Sequence, residues 1–441
     1  MLNHLIDSFS NFICTWPLLI CFMGTAIIVT IALHGAPFKK FFTGFFSLLK
    51  ISGDTAKAGA EITPLQAFLN ALSTSLGNGA IAGIAGAIHL GGPGAGFWIF
   101  VAGFFCMILR FSEVYLATSF ASLSSTGRAL GGPFLYLKGV PGGRFLPFIY
   151  AVFCLGYATI GGCAMQCNSI TSALVAVTGI PTLIVTTALV LFVLYSLIGG
   201  AQRIVKISSY VIPVKVVMFF VFCSGVLIYH WAALIPAIHL MIKAAFSPEA
   251  VLGATFGLSI QRICSIGLIR TINASEAGLG TAAVLYGSTG SVNPADDGLS
   301  AMLGTFISTN LACFMVALAI VASGVWTSGV DGSALTVLAF ETAFGTFGGW
   351  IVASLTILLG IGVFVTCGFV GRQCWLYLTN DRFEIGFSIL FCLAALWGSI
   401  NNIAVVFGVL DLIVAGCVFI NLYGILWLLP FMRKQLTKSK I

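Results

Sequence analysis

The sequence predicts an all-α polytopic membrane protein with about eleven transmembrane helices, and three observations carry that prediction. Of the 441 residues, 59% are hydrophobic and only 7% charged, against roughly a quarter charged in an average soluble domain. The chain contains many runs near the length of about 20 apolar residues that a helix needs to cross a bilayer. Its basic residues, which give a net charge of +7, gather on alternate connections between those runs. That distribution explains the positive charge by topology and argues against nucleic-acid binding.

In chain order the spans are predicted at 14–33, 66–90, 95–121, 147–176, 181–199, 209–230, 254–282, 297–325, 347–371, 385–400 and 403–430. The opening MLNHLIDSFSNF holds no Lys or Arg, so it lacks the basic region of a cleavable signal peptide, and the first span is expected to stay. GGPG at 91–94 and TGIP at 178–181 are short connections, so the spans they join run antiparallel. Lys39, Lys40, Lys50 and Lys57 follow the first span, and Arg128, Lys138 and Arg144 the third. Arg203 and Lys206 follow the fifth, Arg372 and Arg382 the ninth, and Arg433, Lys434, Lys438 and Lys440 form the tail. The positive-inside rule then places the N-terminus outside and the C-terminus in the cytoplasm of an inner (plasma) membrane. The 13 cysteines form no CxxC pair and read as small packing residues rather than disulfides or metal ligands.

With the first span set aside, ten remain, and they divide five and five. The first of each five is interrupted: Leu76-Gly77-Asn78-Gly79-Ala80-Ile81-Ala82-Gly83 in one, Asn273-Ala274-Ser275-Glu276-Ala277-Gly278-Leu279-Gly280 in the other. Each glycine weakens a helix by around 1 kcal/mol. Unwound backbone survives at membrane depth only where protein or a cavity satisfies it. Two interrupted spans at matched positions predict a midplane binding site in an inverted-repeat carrier; taken singly, either run could instead be a close-packing seam of small residues. The expected organisation is an N-terminal helix and loop (1–65), a first five-helix repeat (66–252), a second inverted one (253–430) and a basic tail (431–441).

The stretches GNGAIAGIAGAIHLGGPGAGFW (77–98), GGPFLYL (131–137), MQCNSI (165–170), AQRIVKIS (201–208), SEAGLGT (275–281), DGLSAMLGTFIST (297–309) and GVFVTCGFVG (362–371) resemble the alanine or glycine:cation symporter family. The resemblance covers most of the chain after residue 65. It implies an extra N-terminal span before a five-plus-five repeat of the leucine-transporter type, and uptake of alanine or glycine driven by sodium or by protons. It also implies that Gln166 faces the substrate and that Thr366 lies near substrate and ion. The chain departs from the family where Gly77-Asn78-Gly79-Ala80 stands for Gly-Thr-Gly-Asn, where Ser275 stands for Asn, and where Val365 replaces a frequent Ser or Thr. Each change removes or alters an oxygen that a hard cation could use.

The chemistry of a small zwitterion fits these residues. Freed N–H groups at a half-helix N-terminus suit a carboxylate, and Gly77 and Gly79 lie in such a run. Carbonyls and side chains around Asn78, Asn273 and Ser275 are expected to receive the ammonium. Ala80, Glu276 and Thr366 are the expected ion-binding or coupling positions, with sodium or a proton as the coupling ion and no cofactor. The partners expected are the amino acid and membrane lipid.

Arg110, Glu113, Lys215, Arg262, Arg270, Glu276 and Asp411 lie within the predicted spans. Such groups are costly in a bilayer and mark candidate functional positions. Arg110 and Glu113 sit at i, i+3 and are expected to pair. Lys215 is expected to snorkel toward the basic connection at 203–206. Glu276 is expected to brace the unwound backbone by accepting its N–H groups. No HExxH, GxSxG or nucleotide loop is present, which argues against an enzyme, and paired broken helices argue against a simple pore. A carrier of the same fold with other cargo, or one running on protons or by exchange, is the alternative.

Overall fold

The computed structural model describes residues 16–42, 60–123, 127–198, 200–246, 260–401 and 403–438. The first twelve residues, Lys50, Lys57, Lys440 and the expected repeat boundary at 252–253 lie outside them. A helix stands at each of the predicted segments. α1 is Trp16–Ala32. The second predicted span is split into α2, Pro64–Ser75, and α3, Ala82–Gly91; the bend between Pro64–Ser75 and the stretch Asn78–Gly91 is 43°. α4, Pro93–Ser119, follows at once, then α5, Leu146–Thr159, α6, Met165–Thr178, α7, Thr182–Ile198, and α8, Gly200–Tyr229.

Beyond α9, Leu234–Phe246, the seventh predicted span is again two helices: α10, Ile260–Ser275, and α11, Thr281–Gly287. α12, Pro294–Thr305, continues through a π-helical stretch, Phe306–Cys313, into α13, Phe314–Ala322. α14 is Gly332–Phe344, α15 Phe347–Thr379, α16 Glu384–Ile400 and α17 Ile403–Lys438. Among the described residues, six helices are long and apolar enough to cross a membrane, or seven with the bent pair taken as one.

Among the described residues, two helices longer than a single turn escaped the sequence reading. α9 and α14 have 13 residues each, too few to cross a bilayer, and so read as connections. They are tied together where His230, just before α9, meets Thr342 at 2.7 Å, and Thr336 of α14 donates to the Ile81 carbonyl at 3.3 Å. The fifth connection is also helical: Arg203 and Lys206 stand in the first turns of α8 rather than on a loop.

Local chemistry sets the helix that matters most. α2 begins with a capping box: Thr63 Oγ1 accepts the Gln66 amide at 3.2 Å while Gln66 Oε1 accepts the Thr63 amide at 2.8 Å. Pro64 occupies the first helical position, where its missing N–H costs nothing. α4 and α15 form the frame: α4 packs on α10 and α12, α15 on α5 and α8. α1 lies against α17 and α4. The described cysteines are free and mostly buried.

Candidate functional site

After Ser75 the chain extends through Gly77 (φ −107°, ψ −169°) and makes one 3-10 turn over Asn78–Ala80 before α3 begins. The Asn78 amide donates to Gln166 Oε1 at 3.3 Å. Gln166 is held in that pose by its own Nε2, which donates to the Gly161 carbonyl at 3.1 Å. Gly161 belongs to a π turn, Ile160–Ala164, just before α6; the widened turn leaves its carbonyl free to accept. The Asn78 side chain is 1% exposed, yet neither its Oδ1 nor its Nδ2 has a hydrogen-bond partner among the described residues. Such a group costs folding free energy unless something satisfies it. The walls are tight: a Cβ on Gly77 would lie 2.6 Å from Val363, and one on Gly360 would lie 2.6 Å from Ile170 and 3.1 Å from Asn78 Nδ2.

The second break, Glu276–Gly280, is left-handed at Glu276 (φ 56°), Gly278 (79°) and Gly280 (87°). Side chains serve several of its freed backbone groups. Arg110 donates through Nη2 to the Ser275 carbonyl and through Nη1 to Glu113 Oε1 at 2.7 Å. Glu113 Oε2 accepts the Gly280 amide at 3.1 Å and Asn421 Nδ2 at 3.0 Å. Asn421 also donates to the Gly278 carbonyl at 2.8 Å, and the Tyr150 hydroxyl to the Leu279 carbonyl at 2.6 Å. The pair thus puts its cation at the carboxyl end of α10 and its anion at the amino end of α11, the favourable sense for both half-helix dipoles.

The two breaks touch. Ser75 Oγ donates to the Ser275 carbonyl at 2.9 Å, and Gly79 lies against Ala274, whose Cα would be 3.4 Å from a Cβ at that glycine.

Gly77, Asn78, Gly79 and Gln166 therefore come together, with Ser275 alongside. Its hydroxyl serves the break, accepting the Ala277 amide at 3.2 Å. Ala80 is buried in the 3-10 turn. Asn273 turns elsewhere: its Nδ2 donates to Asp411 Oδ1 at 2.8 Å. Arg270, one turn away, acts electrostatically on the same carboxylate and stacks 4.5 Å from the Phe407 ring centroid. Thr366 is turned to the lower half of the first break, donating to Asn70 Oδ1 at 2.9 Å and the Gly362 carbonyl at 3.0 Å.

Two expectations are corrected. Glu276 accepts from hydroxyls, Tyr157 at 2.8 Å and Thr281 at 2.6 Å, while the backbone N–H it was expected to hold goes to Glu113. Lys215 does not snorkel: it is 0% exposed and reaches the end of α2, donating to the Ser73 carbonyl at 2.7 Å, Ser73 Oγ at 2.8 Å and the Leu76 carbonyl at 3.1 Å. Sequence reasoning missed Ser75 and Asn421; a lone Ser or Asn inside an apolar span carries no signal of which backbone it will serve.

Apolar helices around two discontinuous, mutually bonded helices define a polytopic membrane carrier. The family model described as the sodium:alanine symporter family matches residues 1–440, and the chain belongs to that family. The resemblance seen in the motifs is thereby confirmed, and membership supports cation-coupled amino-acid symport. The chain is 29% identical over 438 residues to the sodium/alanine symporter AgcS of Methanococcus maripaludis, covering 96% of this chain and 94% of that one. It is 26% identical over 421 residues to the amino-acid carrier protein AlsT of Bacillus subtilis (95% and 88%). An uncharacterised transporter of Haemophilus influenzae shares 27% over 430 residues (97% and 94%). Among solved structures, a mutant manganese transporter of Eremococcus coleocola aligns at a TM-score of 0.47 and 14% identity over 81% of this chain and 76% of that one, too loosely to bear on the argument.

Proposed function

We propose that the chain is a secondary carrier that imports small neutral amino acids, alanine and glycine, in symport with a cation (sodium or a proton), and that the substrate sits at the first break. The observation that carries this reading is the buried Asn78 side chain, unpartnered beside Gln166. An amide with both a donor and an acceptor free complements an ammonium and a carboxylate together. The Asn78, Ala80 and Ile81 amides are already bonded; those of Gly77 and Gly79, near the amino end of α3, add the positive end of a half-helix to the carboxylate side. The absence of room for a Cβ at Gly77 or Gly360 favours a very small substrate side chain. The family and two relatives named for alanine or amino-acid carriage support the same substrate class.

Transport then proceeds by alternating access. The jointed helices α2–α3 and α10–α11 rock against α4 and α15 about a fixed midplane site, in a five-plus-five inverted repeat with the N-terminus outside an inner membrane. The test is counterflow: proteoliposomes loaded with unlabelled alanine or glycine take up the labelled compound from outside. Uptake of both, and none of leucine, is expected. Folded protein that exchanges neither alanine nor glycine would overturn the assignment.

A further inference from the structure

The carboxyl ends of the two first half-helices are where a carrier of this architecture has its cation-binding oxygens, since unwinding frees the last carbonyls and the helix dipole adds negative potential there. In this chain a basic side chain already occupies both ends. At α10 it is Arg110, on the Ser275 carbonyl. At α2 it is Lys215, whose Nζ has three oxygens around it: the Ser73 carbonyl at 2.7 Å, Ser73 Oγ at 2.8 Å and the Leu76 carbonyl at 3.1 Å. Three oxygens use all three donors of an ammonium.

The neighbours are shaped to that ammonium. Gly362 faces it from α15, and a Cβ there would lie 2.5 Å from Nζ and 2.6 Å from Ser73 Oγ, so any other residue would push the ammonium out of its cradle. Val365, three positions on, offers no oxygen. Thr366, which does, directs its single hydroxyl hydrogen between Asn70 Oδ1 and the Gly362 carbonyl. A sodium ion entering this place would have to share its carbonyls with the Lys215 Nζ in contact distance and, whenever that amine is protonated, meet a like charge in a buried setting that screens poorly.

We propose that the Lys215 ammonium is the cation of the first break, a tethered replacement for sodium, so that amino-acid transport by this chain needs no sodium ion. The inference rests on the reading that the first break is the transport site. It narrows the coupling ion, leaving the proton of the two that the proposed function admits. It also separates this chain from what its family name implies.

Two measurements test it. In counterflow with alanine, external sodium chloride is replaced by choline chloride at the same pH; equal rates are expected, and a loss of about tenfold or more in choline would overturn the proposal. Loss of uptake in both buffers counts instead against alanine as substrate. The second measurement needs no amino acid. The melting temperature of the purified protein in detergent is expected to be the same in sodium and in choline, since an ion that does not bind the native state does not stabilise it. In Lys215→Ala the emptied cradle is expected to gain sodium-dependent stabilisation. A rise in melting temperature with sodium in the unaltered protein would overturn the proposal whatever the substrate, and whether or not the variant folds.

Discussion

Ser75 Oγ donates to the Ser275 carbonyl at 2.9 Å, joining residues 200 positions apart, each the last residue of its half-helix. Ser275 O also receives Arg110, so one carbonyl ties the first break, the second break and the α4 frame together. The two jointed helices are thereby coupled at their joints, where a rocking motion must begin.

Ser75→Ala removes that tie while leaving Arg110 in place. A neutral buried hydrogen bond is worth about 1 kcal/mol, so a small fall in thermal stability in detergent is expected, together with a several-fold fall in alanine counterflow. Wild-type transport in the variant would show that the breaks move independently.

The Arg110–Glu113 pair is 2% and 0% exposed, and Glu113 serves the second break directly. Glu113→Gln keeps an oxygen for the Gly280 amide but leaves Arg110 without its counter-charge. Breaking a buried pair in this way costs about 3–5 kcal/mol. Thermal unfolding of the purified variant checks the figure; a loss below about 1 kcal/mol would contradict the bracing role.

Glycine conformation gives a paired test. Gly280 (φ 87°) abuts Tyr150 and Pro133, whereas Gly324 (φ 77°) has nothing within 4 Å. Gly324→Ala is expected to cost about 1 kcal/mol of conformational strain. Gly280→Ala adds a steric collision to the same strain and is expected to lower the melting temperature much further. Equal effects would mean that the second break relaxes freely.

The end of the bundle that the basic loops assign to the cytoplasm is latched by Glu61. Its carboxylate meets Arg372 at 3.4 Å and Arg128 at 3.8 Å, and it accepts from Gln373; Arg372 also pairs with Glu384. Glu61→Gln is expected to loosen this latch and raise hydrogen exchange across α2, measured by mass spectrometry. Unchanged exchange there would place the closing contacts elsewhere.

The helices of the bundle and the position of both breaks were legible because apolar run length and glycine density are local properties of the chain. Gly77 and Asn78 were legible in the interrupted span, and Gln166 through motif resemblance. The partners of Lys215, Asn273 and Glu276 were not. Each is a long-range choice among several carbonyls and carboxylates at similar depth, fixed only once α8, α17 and α5 pack. Lys215 is instructive: its spacing from the basic residues at 203–206 suggested snorkelling, but helix α8 turns it inward to the freed carbonyls of α2. α9 and α14 stayed hidden because 13 residues suffice for a helix that covers the bundle without crossing a membrane.

The most direct test of the account is calorimetric titration of the purified protein with alanine, beside Asn78→Leu and Gln166→Leu variants shown to melt like the wild type. The account predicts saturable alanine binding that weakens about tenfold or more in each variant, the equivalent of ~1.4 kcal/mol. Alanine binding of unchanged affinity in folded Asn78→Leu would contradict it and move the substrate away from the first break.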